Sequence, residues 1–401
     1  MCGGQVATVV GTSLDDTLEG TAGDDVIVGL GGNDEISGHR GSDIICGGAG
    51  DDLIRGSRAG GDIFGNAGND TLFSRGGAGL TGGTGDDTLN ASVDGSADLL
   101  PGPGDDLVVG SPTQGDEVQY GPSAAGPIYA NLITGTATGQ GTDSLVDIDA
   151  VLGGPYPDTL IGTDGDNGFV GREGDDTLVG NGGDDVFSGQ QGDDTYRGGR
   201  GYDEAEYYDQ NFADGFPWGP MNVNLRTGIA TGDGTDTLHS IEGATGSNGD
   251  DVMVGTRKAN EFRLLLGGND TVYARGGNDT VRPGAGANVV FGGRGEDLVG
   301  FFGGTDPDHP HTAITVDLGA GTSSAGDSLR SIEDIEGSTF DDLLAGTSGP
   351  NHISGDAGDD VLRGGAGPDT LNGQMGHDRA YGGAGDDRCR AEIRRSCDLH
   401  P

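Results

Sequence analysis

The sequence predicts an all-β chain, a parallel β-roll that winds like a β-helical solenoid, and three observations predict it. These are a nine-residue repeat, a glycine at the fourth place of nearly every copy, and an almost complete lack of windows that could stay helical. From Gly20 the chain reads GTAGDDVIV, GLGGNDEIS, GHRGSDIIC and GGAGDDLIR, with Gly fourth, Asp sixth and an apolar residue eighth. Each GGxGxDxUx unit divides into a six-residue turn and a three-residue strand, so two units make one coil. The apolar eighth residue faces inward. Ile27 and Ile45 then stack on one wall and Ile36 and Ile54 on the other, and the two walls meet in a thin core. Gly or Pro interrupts nearly every window of helical length. Only AEIRRSC at 391–397 could support a turn or two of helix.

The repeats fall into blocks joined by short β connectors. Residues 1–10 read as an N-terminal cap strand. Block I (11–117) carries in-frame Asp25, Asp34, Asp43, Asp52, Asp70, Asp87 and Asp106, with Asp62 in a slipped copy. Block II (153–205) carries Asp176, Asp185, Asp194 and Asp203, and block III (243–300) carries Asp251, Asp270, Asp279 and Asp297. Block IV (337–388) carries Asp360, Asp369, Asp378 and Asp387, and residues 389–401 form a tail. Connectors span 118–152, 206–242 and 301–336. They contain related segments, beginning IYANLITGTATG at Ile128, MNVNLRTGIATG at Met221 and ITVDLGAGTSSAG at Ile314. Their V-x-L alternation and the Gly-Thr-Asp-x-Leu turn predict short strands that close one block and lead into the next.

Composition excludes an ordinary globular core. Only 32% of the 401 residues are apolar, 86 are glycine, and the formal charge is -45. Apolar burial alone cannot offset the chain entropy of such a sequence. The 66 Asp and Glu against 21 Lys and Arg point to a hard divalent cation as the missing source of folding energy, and they disfavour a polyanionic partner such as nucleic acid. Stacked coils bring the Asp of one turn beside that of the turn one coil on, as with Asp25 and Asp43 or Asp176 and Asp194. Two such carboxylates repel unless a cation lies between them, and Ca²⁺ with turn carbonyls completes an all-oxygen shell. One ion per in-frame Asp would give roughly 19 Ca²⁺, adding about +38 against the -45. The expectation is many Ca²⁺ ions per chain, with folding coupled to their binding.

These units resemble the hemolysin-type, or repeats-in-toxin, calcium-binding repeats. The resemblance runs through the connectors, such as SIEDIEGSTFDDLLAGTSGPNHISG from Ser331. It implies a parallel β-roll, Ca²⁺ held by turn aspartates and glycine carbonyls, and secretion, often through a C-terminal signal read by a type I exporter. The cysteine-containing ends, CGGQVATVVG with GSDIICGG and DRCRAEIRRSC, depart from that export pattern. They resemble secreted actinobacterial members, for which a general secretory signal peptide is expected. The start, MCGGQVATVVG, has no basic and apolar leader, so a signal peptide is expected to be absent or already removed.

The implied role is a secreted, extracellular calcium-binding protein with a structural, surface or adhesin-like function. The alternative is a calcium-dependent folding and secretion module of a larger secreted hydrolase or toxin. No catalytic residues are expected: HExxH and G-x-S-x-G are absent, and no paired acid and base recur among the connectors. His309 and His311 read as a solvated loop. Asn167, Asn288 and Asn351 stand where the sixth-position Asp is expected, and Leu14, Tyr156 and Phe340 replace the fourth-place Gly ahead of Asp16, Asp158 and Asp342. Ion occupancy is expected to fail first at these turns. Tyr120, Tyr207 and Phe301 read as plugs over block ends. The densest aromatic group, Tyr208, Phe212, Phe216 and Trp218, is where a cell-surface glycan or protein partner would bind.

Four cysteines suit two disulfides in an oxidising compartment, with Cys2 paired to Cys46 and Cys389 to Cys397, against the alternative of four reduced buried thiols. No CxxC metal pair occurs. No stretch approaches the ~18 apolar residues of a membrane span, the nearest being FRLLL at 262–266.

Overall fold

The computed structural model describes residues 1–77, 79–91, 97–112, 115–121, 124–208, 219–264, 267–301 and 312–397. Phe212, Phe216, Trp218, His309 and His311, singled out above, lie outside them. The described residues contain strands, turns and bends and no α-helix. The chain divides into two units, Met1–Asp203 and Glu204–Pro401.

In the first unit one wall is an uninterrupted parallel ladder. It runs from Val9–Val10 through Val26–Gly31, Ile44–Ala49, Asp62–Ala67 and Gly79–Thr84 to Asp98–Leu100, Glu117–Gln119, Ala150–Leu152, Gly168–Glu173 and Val186–Gln191. Its register places Ile27 on Ile45 and Ile45 on Ile63. The other wall stacks Ile36 on Ile54 and Ile54 on Leu72. All six side chains are fully buried. Period-two alternation therefore produces the thin core that the eighth position predicts.

Farther along, Phe169, Phe187 and Tyr196 fill the core with ring centroids 5.8 Å apart at each step, and the Tyr196 hydroxyl oxygen accepts the Gly189 N–H at 2.8 Å. The second wall changes hands at the connector. Thr136–Thr138 pairs antiparallel with both Tyr129–Asn131 and Thr142–Val146. Of those two strands, Thr142–Val146 continues the ladder from Leu107–Val109, and Tyr129–Asn131 starts the ladder to Thr159–Ile161.

The second unit repeats this plan twice. Ile229–Thr231 lies antiparallel between Asn222–Asn224 and Thr235–His239, and Thr322–Ser323 lies antiparallel between Thr315–Asp317 and Ser328–Arg330. The recurrent residue at the head of each meander has a local role. Asn131 Oδ1 accepts the Ile133 and Thr134 N–H groups, Asn224 Oδ1 that of Thr227, and Asp317 Oδ1 that of Ala320, each closing the hairpin turn.

Both disulfides are formed, Cys2–Cys46 and Cys389–Cys397. The first ties the N-terminal segment to the Ile44–Ala49 strand beside Val26, Val28 and Phe64.

Candidate metal centre

The sixth-position aspartates line the edges of the coils in continuous columns. Each backbone N–H donates to the carboxylate one coil on. In the first unit Asp34 donates to Asp52 Oδ1, Asp52 to Asp70, Asp70 to Asp87, Asp87 to Asp106 and Asp106 to Asp143, at 2.7–3.1 Å. Shorter columns run from Asp158 through Asp176 to Asp194, and from Asn167 through Asp185 to Asp203. In the second unit they run from Asp251 through Asp270 and Asn288 to Asp327, and from Asn260 through Asp279 to Asp297. The last two link Asp342, Asp360 and Asp378, and Asn351, Asp369 and Asp387. The strand hydrogen bonds set this stagger, because parallel register holds equivalent turns one above another.

One oxygen of each carboxylate is thus used, and the other decides the chemistry. Oδ2 is buried without a protein partner at Asp34, Asp52, Asp70, Asp87, Asp106, Asp176, Asp185, Asp203, Asp270, Asp279, Asp297, Asp360, Asp369 and Asp387. A buried anionic oxygen left unpaired is costly, and burial shows in the acidities. Desolvation, added to by neighbouring carboxylates, lifts Asp52 and Asp70 to about 6, Asp87, Asp106, Asp270 and Asp360 to about 7, and Asp176 to about 9.

The space beside these oxygens has a consistent lining. A methyl group on Gly47 would meet Asp52 Oδ2 and, at 3.0 Å, the carbonyl oxygen of Gly65 in the next coil. One on Gly364 would meet Asp369 Oδ2 and the Gly382 carbonyl oxygen. Carboxylate and carbonyl oxygens converge on ground that only glycine leaves open. This all-oxygen donor set fits Ca²⁺ and offers nothing to a softer metal. Among the described residues no group of three or more His, Cys, Asp or Glu side chains is placed to hold a metal ion by itself.

Five further aspartates of the repeat differ. Asp194 and Asp378 are buried in their columns, accepting the N–H groups of Asp176 at 2.8 Å and Asp360 at 3.0 Å. Asp43 Oδ2 accepts the Ser57 hydroxyl at 2.7 Å, for the slipped copy puts Gly61 where the next carboxylate would stand and leaves Asp62 exposed at a strand start. Asp25 Oδ2 accepts both the Thr21 N–H, at 2.6 Å, and its hydroxyl, at 2.8 Å, and these bonds hold its pKa below the usual carboxylate value. Asp251 accepts the Ser247 N–H and hydroxyl, both at 2.7 Å.

Sequence reasoning passed over two groups. The first is the connector acids Asp143 and Asp327, which extend the columns and have hydroxyl partners on Oδ2, from Tyr120 at 2.9 Å and Ser323 at 2.5 Å. The signal for Asp143 lies in its Gly-Thr-Asp-x-Leu turn, and for Asp327 in the shorter Gly-Asp-Ser-Leu of the third connector. Tyr120, expected as a plug, is fully buried, as are Tyr207 and Phe301 to within 2%. The second group is the fifth-position acids. Asp51 Oδ1 accepts the Asn69 N–H, Asn69 Oδ1 that of Asp86, and Asp86 Oδ1 that of Asp105, forming an exposed ladder outside the buried one. The Asp-Asp and Asn-Asp doublets were its trace.

A family model of the RTX calcium-binding nonapeptide repeat (4 copies) matches residues 10–45, 41–60, 47–79, 80–94, 147–178, 170–205, 266–299, 336–371 and 354–389, more than half of the chain. No curated protein matches it. Among solved structures it is similar to a hyperactive, Ca²⁺-dependent, beta-helical antifreeze protein from an Antarctic bacterium. That likeness is at 15% identity over 92% of this chain and 84% of that one, with a TM-score of 0.13, too low to bear on either fold or function.

Proposed function

Because the chain belongs to the RTX calcium-binding nonapeptide repeat family, we propose that its turns take up Ca²⁺ along the aspartate columns and that this uptake drives folding of the coils. The observation that carries the reading is the set of buried Oδ2 atoms with no protein partner, most of which share the space beside a repeat glycine with a carbonyl oxygen of the adjoining coil. Without a cation these carboxylates disfavour the stacked state. With one, the same oxygens bind coil to coil, so binding energy becomes folding energy.

The protein acts in this reading outside the cell, as a structural, surface or adhesin-like component with no catalytic step. Two disulfides support an oxidising compartment, and the free calcium of extracellular fluids suits weak, numerous sites. A glycan or protein partner is proposed for the aromatic group that includes Tyr208.

Calorimetric titration of the chelator-treated chain with Ca²⁺, together with far-UV circular dichroism, tests the central claim. The expected result is uptake of well over ten ions with a matching gain of strand signal. One or two ions, or unchanged strand content, would overturn it.

A further inference from the structure

The turns fall into two chemical types according to the second residue of the repeat. Where it is described, that residue is in the left-handed region in turns whose aspartate has a bare Oδ2, as at Leu30 with φ 81°, Asn66 at 80°, Arg172 at 83° and Asn181 at 77°. In the other type it is Thr or Ser outside that region, and its two polar groups turn inward. The Thr347 N–H and hydroxyl both donate to Asn351 Oδ1, at 2.7 and 3.3 Å, while the same hydroxyl accepts the Gly349 N–H at 3.0 Å. Thr12, Thr21, Thr163, Ser247, Thr256 and Ser338 repeat the arrangement on Asp16, Asp25, Asn167, Asp251, Asn260 and Asp342. The hydroxyl joins side chain to turn backbone, which is the task the cation has elsewhere.

The positions of these turns are not scattered. Asp16 and Asp25 are the first two turns of the first repeat run, Asp158 and Asn167 of the second, Asp251 and Asn260 of the third, and Asp342 and Asn351 of the fourth. Two turns make one coil. At Asp158 the second residue is Gly154, whose N–H still donates to Oδ2 at 2.7 Å. Three of the eight have Asn and no charge for a cation to neutralise.

We infer that every repeat run opens with one complete coil that takes no calcium, and that the donor groups of the second residue, a Thr or Ser in seven of these eight turns, are what exclude the ion. This rests on the calcium reading above and refines it. It removes Asp25 and Asp251 from the ion-binding set, although both match the repeat at the sixth position. The opening coil presents a finished, cation-free template on which the first ion-binding coil stacks.

The full chain tests this through the number of ions bound at saturating Ca²⁺, counted by native mass spectrometry. Leu30→Thr converts the turn Gly29–Asp34 to the arrangement of Gly20–Asp25 at a residue that is exposed, and it is expected to bind fewer ions than the unmodified chain by at least one. Thr347→Gly combined with Asn351→Asp is expected to bind one more. Asn66→Thr, acting on Asp70, replaces Leu30→Thr should that variant not fold. Unchanged counts in variants with the parent circular dichroism spectrum would overturn the inference. A parent chain that binds no ions would instead overturn the calcium reading itself.

Discussion

Replacing Asp52 by Asn separates the two duties of a column aspartate. The amide keeps Oδ1, so the Asp34 N–H retains its acceptor at 2.8 Å. What is lost is the charge and the bare Oδ2. The new Nδ2 has a precedent elsewhere in the fold, since Asn260 Nδ2 donates to the Glu242 carbonyl one coil back at 2.9 Å and Asn167 Nδ2 to that of Asp149 at 3.1 Å. One such hydrogen bond contributes about 1 kcal/mol. Each ion taken up on folding makes stability rise with free calcium by about 1.4 kcal/mol per tenfold, so losing one ion lowers that slope by the same amount. Plots of stability against log [Ca²⁺] for parent and Asp52→Asn should therefore cross, with the variant more stable at low calcium and less stable at high. Asp52→Ala should show the same loss of slope and an additional constant loss of about 1–3 kcal/mol, because it strands the Asp34 N–H. Urea unfolding followed by circular dichroism across a calcium series measures both quantities. Parallel lines for parent and Asp52→Asn would refute the assignment of Asp52 as a calcium ligand.

Acid should partly replace calcium. Burial raises Asp52 and Asp70 to about 6 and Asp87, Asp185 and Asp279 to about 7 from 3.8, so folding takes up protons. The stability this gives is complete below about pH 4 and is lost as pH rises through 6 and 7. In chelator, more strand signal at pH 5 than at pH 8 is expected, and equal signals would refute it. Phe187→Ala removes the middle ring of the Phe169, Phe187 and Tyr196 stack from a fully buried site and should cost about 3–5 kcal/mol without altering the calcium slope, as urea unfolding would show. The Cys2–Cys46 bridge spans a sequence separation of 44, for which chain entropy gives about 4 kcal/mol. Replacing both cysteines by Ala should lower the unfolding midpoint accordingly, and intact mass with reductant should show four added protons for the two bridges of the parent.

The coil architecture was legible because its determinants are local and periodic. Ile27, Ile36, Ile45 and Ile54 recur at the eighth place, and strand alternation alone sends them inward. The sixth-position aspartates were legible for the same reason. What escaped notice depends on contacts that form only when a turn closes or a distant segment stacks on it. At the sixth place itself Asp25 and Asp34 are alike. The difference lies four residues upstream, in Thr21 against Leu30, and becomes meaningful only once the turn closes. Asp143 was hidden similarly, for its place in the column of Asp106 follows from a meander whose antiparallel pairings the connector sequence does not announce.

The hydrogen bonds along a column all point one way, from an N–H to the carboxylate of the following coil. A trimmed chain would feel this asymmetry. Cutting coils from the N-terminal side leaves a carboxylate short of one donor, and a carboxylate can turn to water. Cutting from the C-terminal side leaves a buried N–H with no acceptor. The tail answers that need, where Glu392 Oε2 receives the Asp378 N–H at 2.7 Å between the joined Cys389 and Cys397. Glu333 does the same for Asp297 at 3.0 Å. Proteolysis from the C-terminal end should thus unravel a column that tolerates equal losses at its beginning, giving the stack a built-in direction of wear.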